Sequence, residues 1–139
     1  MEARKIINGS FGELWLDGDY IGEAKGCQAK IEINKEEVSI VGQLAVDTKV
    51  MGWTGKGSMT LYKANSKMIK KVAQLVKEGK DVRFSLISKL ADPDAEGTER
   101  IAIKNISFDD LTLIDWELKK VLEVECPFTF TDYEVLDEI

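Results

Sequence analysis

The stretch Cys27-Gln28-Ala29-Lys30-Ile31-Glu32-Ile33-Asn34 decides the fold class. Cys27, Ala29, Ile31 and Ile33 take every second position, and Gln28, Lys30, Glu32 and Asn34 fill the gaps. Side chains alternate sides along a strand, so this pattern predicts a β-strand with one dry face and one wet face. The alternation returns near the C-terminal end. There Leu122, Val124, Cys126, Phe128 and Phe130 interleave with Glu123, Glu125, Pro127 and Thr129. Pro127 has no N–H to donate, which predicts an edge or a bulge at that point.

Working outward, Phe11 to Ile21 places apolar runs on both sides of Asp17-Gly18, the pair that suits a two-residue type I′ turn, and so reads as a hairpin. Asn34-Lys35-Glu36 reads as a turn and Val38 to Val41 as the strand returning from it. Further strands are expected at Ser58–Tyr62, Val82–Ile87 and Thr98–Ser107, with an acidic loop over Ala91–Gly97. One helix is predicted over about 67–78, capped by Asn65-Ser66 and stopped by Gly79. Met68, Ile69, Val72, Ala73 and Val76 form its apolar stripe, and a helix this short needs a sheet to dock on.

Gly42 to Gly57 has no clean period, yet it carries Val46, Val50, Met51 and Trp53 among its glycines. Long aperiodic loops in small domains are functional or disordered, and disordered segments are poor in such residues. The segment is therefore expected to be an ordered arm that packs on something. The sum is a single domain over residues 1–139. Its expected class is mainly β, a β-sandwich or partial barrel of two packed antiparallel sheets with one α-helix.

The composition is that of a soluble globular protein, with 44% apolar and 32% charged residues in 139. A net charge of −6 disfavours general attraction to nucleic acid or anionic lipid. No apolar run reaches the roughly 18 residues of a membrane span, and the first residues lack the apolar core of a signal peptide. Membrane anchoring is not expected, and the cytoplasm of the producing cell is the simplest location. Cys27 and Cys126 are expected to be small buried apolar residues rather than a disulfide.

The chain has no histidine, which removes Ser-His and Cys-His catalysis and most catalytic zinc sites. Asp92-Pro93-Asp94-Ala95-Glu96-Gly97 starts like a calcium loop, but its twelfth position is Ile103 where a bidentate Glu belongs. Gly52-Trp53-Thr54-Gly55-Lys56-Gly57 lacks the phosphate-loop spacing. Among 25 acidic residues, pairs such as Asp109-Asp110 or Glu123 and Glu125 arise by chance. No catalytic residue, metal ligand or cofactor is expected. Trp15 reads as core, Trp53 as an interface anchor, and Trp116 is left open.

Four blocks occur together in order: Gly12-Glu13-Leu14-Trp15-Leu16-Asp17-Gly18, Gly55-Lys56-Gly57-Ser58-Met59-Thr60-Leu61-Tyr62-Lys63, Gly97-Thr98-Glu99-Arg100 and Pro127-Phe128-Thr129-Phe130. Their combination resembles the XkdM-like tail tube proteins of PBSX-type contractile phage-like particles, over nearly the whole chain. The resemblance implies a structural subunit that closes homohexameric rings, stacked into a hollow tube. It implies tail sheath, tape-measure and baseplate proteins as partners. DNA would be at most in transient passage, and the tail of a virion or phage-like particle the final location. It also implies that the Gly42–Gly57 arm reaches a neighbouring subunit or ring, through Val46, Val50, Met51 and Trp53. Lys30, Glu32, Glu123 and Glu125 are then candidates to line a lumen, whose net negative charge would let DNA pass without sticking. A secretion-system tube, a tail terminator and a monomeric β-barrel binding module remain as alternatives.

Overall fold

A computed structural model describes residues 1–139. Eight strands are β1 (Gly12–Leu16), β2 (Asp19–Tyr20), β3 (Ala24–Val38), β4 (Asp47–Tyr62), β5 (Phe84–Leu90), β6 (Glu99–Phe108), β7 (Glu123–Phe130) and β8 (Asp132–Asp137). Between β4 and β5 lies helix α1 (Lys67–Lys77). All strand pairs are antiparallel. One sheet runs β2-β1-β5-β6-β8; the other runs from the end of β6 through β7 and β4 to β3. The mainly β class with one helix is what the alternating pattern predicts.

The two sheets are joined by β6, which pairs with β5 and β8 over most of its length and with β7 at Ser107 and Phe108. The change of sheet occurs at Asn105, whose φ of 55° breaks the ladder with a bulge. At the same corner the chain passes from β7 to β8 through Thr131. The Asn105 side-chain amide donates to the Thr131 hydroxyl at 2.6 Å, which ties the two crossing segments together.

Between the sheets lies one core. Leu14, Leu16, Phe84, Leu86, Ile103 and Ile106 come from the first sheet, and Met59, Leu61, Cys126, Phe128 and Phe130 from the second. Val72 of α1 closes one end, with Met68 packed against the same cluster. The rest of the expected stripe is less buried, and Val76 faces solvent. Ser66 is the N-cap residue but its side chain makes no capping bond; instead the preceding Asn65 side chain accepts from the Lys67 N–H at 3.0 Å. At the other end Gly79, at φ 74°, lets Lys80 N–H reach the Leu75 carbonyl and Gly79 N–H the Val76 carbonyl, a Schellman closure.

Several expectations are corrected. Asn34-Lys35-Glu36 is not a turn: β3 runs on to Val38, and the irregularity there is a bulge that places Met51 as an extra residue opposite Asn34/Lys35. Gly42–Gly57 is not a loop, because β4 begins at Asp47 and only residues 39–46 turn. The bulge shifts the alternation by one residue, which is why this strand has no visible period in sequence. Trp15 is not core. It lies across from Ile87 on the outer face of the first sheet and meets the Tyr20 ring at 5.1 Å, while its neighbours Leu14 and Leu16 are buried. β8 is short and wholly exposed, so it carries no burial pattern to read.

A specific fit holds the second sheet to the core. Gly55 pairs directly with Phe130, and Gly57 with Phe128. A Cβ on Gly55 would lie 2.6 Å from the Phe130 ring, and one on Gly57 would lie 2.7 Å from the Phe128 ring and strike the Gln28 carbonyl. The two glycines are seats for the two rings. From there the rings continue in series: Phe84 to Phe108 at 5.3 Å, Phe108 to Phe128 at 6.1 Å and Phe128 to Phe130 at 6.3 Å. Gly57→Ala and Gly55→Ala are each expected to cost about 1–3 kcal/mol by overpacking, measured by urea unfolding. Gly52→Ala, whose Cβ meets nothing within 4 Å, is the control and should leave the midpoint nearly unchanged.

Candidate functional site

The longest feature of the chain is the β3–β4 hairpin. Its neighbour β7 pairs with β4 only from Tyr62 to Gly55, so the eight residues 47–54 and their β3 partners extend past the body. At about 3.3 Å per residue the overhang is about 26 Å, as a two-stranded ribbon. An isolated ribbon is marginal in water, and this one is anchored at its root by Trp53. The indole lies 6.1 Å from the Phe130 ring and 5.6 Å from the Tyr133 ring of β8. Ile31 and Ile33 continue the apolar face of the core along the ribbon, yet Ile33 is 50% exposed because no second sheet covers it.

All four arm residues of the sequence reading lie on or next to β4. Val46 is in the turn, Val50 faces Lys35 across the ribbon, Met51 is the bulged residue, and Trp53 is the anchor. Val46, Val50 and Met51 are more than half exposed. The sequence reading missed the turn itself. Residues 39–46, Ser-Ile-Val-Gly-Gln-Leu-Ala-Val, contain no charge, and Val41 and Leu44 are wholly exposed. Turns are normally built from Gly, Pro, Asn, Asp and Ser; an uncharged apolar turn was the signal available.

The opposite face of the second sheet is mostly polar. Gln28, Lys30, Glu32 and Asn34 of β3 lie beside Ser58, Lys56, Thr54 and Gly52 of β4, and Glu123, Glu125, Pro127 and Thr129 of β7 complete the face. Lys30, Glu32, Glu123 and Glu125 therefore share one surface. Where β7 covers the sheet its charges balance, Lys25, Lys30 and Lys56 against Glu32, Glu123 and Glu125; along the overhanging ribbon Glu36 and Asp47 stand against Lys49, which leaves the whole face slightly negative. Lys25 donates to Glu123 at 2.8 Å and lies 5.9 Å from the centre of the Tyr62 ring. That bond to Glu123, with its charge, raises the Lys25 pKa.

Both long edges of this sheet are open. β3 has no partner beyond β4, and β6 covers the far side of β7 only at Phe128 and Thr129, with one further bond from the Asp109 N–H to the Pro127 carbonyl. The acidic loop near Ala91–Gly97 serves the fold: the Asp92 carboxylate accepts from the Asn8 N–H at 2.8 Å and the Asp94 N–H at 2.9 Å. The apolar cavity beneath α1 holds about 30 Å³, room for a water or two.

Cys27 and Cys126 flank Met59 in one row across three strands. Two strand spacings make roughly 10 Å, beyond the reach of a disulfide. Cys126 is buried as expected, whereas Cys27 sits on the exposed edge strand. Even so, desolvation raises both thiols to about 11, with Asp110 and Glu125 adding to the effect at Cys126.

The family model "Phage tail tube protein" matches residues 1–137. The chain is 35% identical over 141 residues to phage-like element PBSX protein XkdM of Bacillus subtilis (strain 168), covering 100% of this chain and 96% of that one. Its fold is similar to a subunit of the anti-feeding prophage tube-terminating cap, with TM-score 0.76, 7% identity, and 99% and 95% of the two chains covered. It is also similar to a subunit of the PVC sheath–tube complex of an extracellular contractile injection system in its extended state. There the TM-score is 0.73 at 9% identity, with 93% and 90% covered.

Two predictions come from this geometry. Trp53→Ala removes two ring pairs worth about 0.5–1.5 kcal/mol each; the expected result is lower stability in urea and faster amide exchange over residues 47–54. For the thiols, a raised pKa favours the neutral form, so thiolate is scarce at pH 7 and grows as pH rises toward about 11. Iodoacetamide labelling of the folded monomer should be slow at pH 7 and accelerate up to that pH. Rapid labelling at pH 7 would contradict the desolvation of the two thiols.

Proposed function

The chain belongs to the phage tail tube protein family, and on that premise we propose that six copies close a ring and that rings stack into a hollow tube. The observation that carries this is the second sheet, with an open edge on each side and one mostly polar face. Open edges are templates for pairing, and closing a ring of copies edge to edge satisfies them all. The polar face would then line the lumen, placing Lys30, Glu32, Glu123 and Glu125 around the passage. Nearly balanced, slightly negative charge and few apolar side chains, Val38, Tyr62 and Pro127, leave a DNA or protein cargo little to grip.

In this reading the chain performs no chemistry and needs no cofactor. The hairpin residues Val46, Val50 and Met51 contact neighbouring copies, with Trp53 holding the ribbon at its root. The chain's partners are the tail sheath, tape-measure and baseplate proteins. Subunits accumulate in the bacterial host cytoplasm and end in the tail of the particle. No helix is long and apolar enough to cross a membrane.

The test is negative-stain electron microscopy of the purified chain over a concentration series, with light-scattering mass. Six-fold rings or uniform hollow tubes are expected. A strict monomer at high concentration, even with baseplate and sheath proteins added, would sink the reading.

A further inference from the structure

The segment joining β6 to β7 carries Leu113, Ile114, Trp116, Leu118 and Val121, each more than 60% exposed. Among them stand Asp115, Glu117, Lys119 and Lys120, so the segment is amphipathic in composition. Its position is well defined. The Lys63 N–H donates to the Leu122 carbonyl at 2.9 Å, and Tyr62 pairs with Glu123, so the segment ends beside the last residue of β4. Asp115 and Thr112 border a shallow groove with Lys25, Gly26 and Glu123 at the root of β3.

The apolar turn 39–46 lies at the other end of the same two strands. From Asp47 to Tyr62, β4 spans 16 residues, or roughly 50 Å. The turn therefore cannot fold back onto the 113–121 segment of its own chain, because the paired strands between them hold the two apart. One molecule thus presents two different uncovered apolar surfaces at opposite ends of one axis. A contact between unlike surfaces at opposite ends does not close on itself and extends a stack indefinitely. Such an arrangement suits a second copy of this chain better than an unrelated partner, which would explain only one of the two surfaces.

We propose that the turn of one copy, through Val41 and Leu44, seats on Ile114, Trp116 and Leu118 of a copy in the next ring. This rests on the tube reading above and names the receiving surface, which neither the alternation nor the family resemblance marks. Trp116, 73% exposed, is the large rigid anchor of the kind that dominates binding at interfaces. The contact uses exposed residues on both sides, so substitutions there can disable stacking while leaving the monomer folded.

The experiment pairs two single-cysteine preparations, Gln43→Cys and Glu117→Cys, each in a Cys27→Ser, Cys126→Ala background, which keeps the contact residues Leu44 and Trp116 in place. They are assembled together and treated with a short bismaleimide. Covalent dimers are expected from the mixture and not from either preparation alone. In parallel, Trp116→Asp and Leu44→Asp should each shorten tubes at least tenfold, with far-ultraviolet circular dichroism unchanged, and Glu117→Gln should leave tube length intact. Normal tubes that give no mixed cross-link, with Trp116→Asp tubes of full length, would overturn this contact while the tube reading stands. Cross-linking of Gln43→Cys to sheath protein instead would overturn it too. Wild-type protein that never forms rings or tubes would remove the tube reading and this contact together.

Discussion

Two phenylalanine rings lying on two glycines hold the molecule's working surface in place. Phe128 and Phe130 project from β7 into the core, and their cross-strand partners Gly57 and Gly55 have no side chain to keep the rings away from β4. Because the rings also meet Phe108 and Trp53, one contact series joins β5, β6, β7, β4 and, through Tyr133, β8. The polar face of the second sheet is the reverse side of this arrangement. Every side chain drawn into the core on one face sets its neighbours outward on the other.

The hairpin follows from the same constraint. β4 is long enough to serve the core with its second half and the outside with its first. The inward-facing series runs from Leu61 through Met59, Gly57 and Gly55 to Trp53, and burial falls away where the first sheet ends. Beyond that point the ribbon retains its ladder but loses its cover. An exposed ribbon with apolar residues and a charge-free turn is poorly suited to life as a monomer, and well suited to a subunit whose stability is completed by neighbours.

Electrostatics plays a local part. The ion pairs are at the surface: Lys25 with Glu123, Lys71 with Asp19, Lys104 with Glu134. Exposed pairs of this kind contribute little to stability. Their effect is on the character of surfaces, and on the polar sheet face they cancel charge that the acidic composition alone suggests would accumulate.

The sequence by itself determined the strands with one buried face, since burial imposes a period of two that can be read directly at Cys27–Asn34 and Leu122–Phe130. It determined the β1–β2 turn, where Asp17 and Gly18 adopt the positive φ that this pair favours, and the helix between Asn65 and Gly79. It also carried the family, through blocks that turn out to be core and seat residues such as Leu14, Leu16, Gly55 and Gly57. Only the tertiary structure decided that residues 47–57 are strand, because a bulge at Met51 erases the period and because a ribbon exposed on both faces has none to show. The outward position of Trp15 was likewise decided by pairing partners distant in sequence. So were the joining of the sheets at Asn105 and the placement of the turn and the 113–121 segment at opposite ends. None of these leaves a local trace, since each depends on which strands meet and where their cover ends.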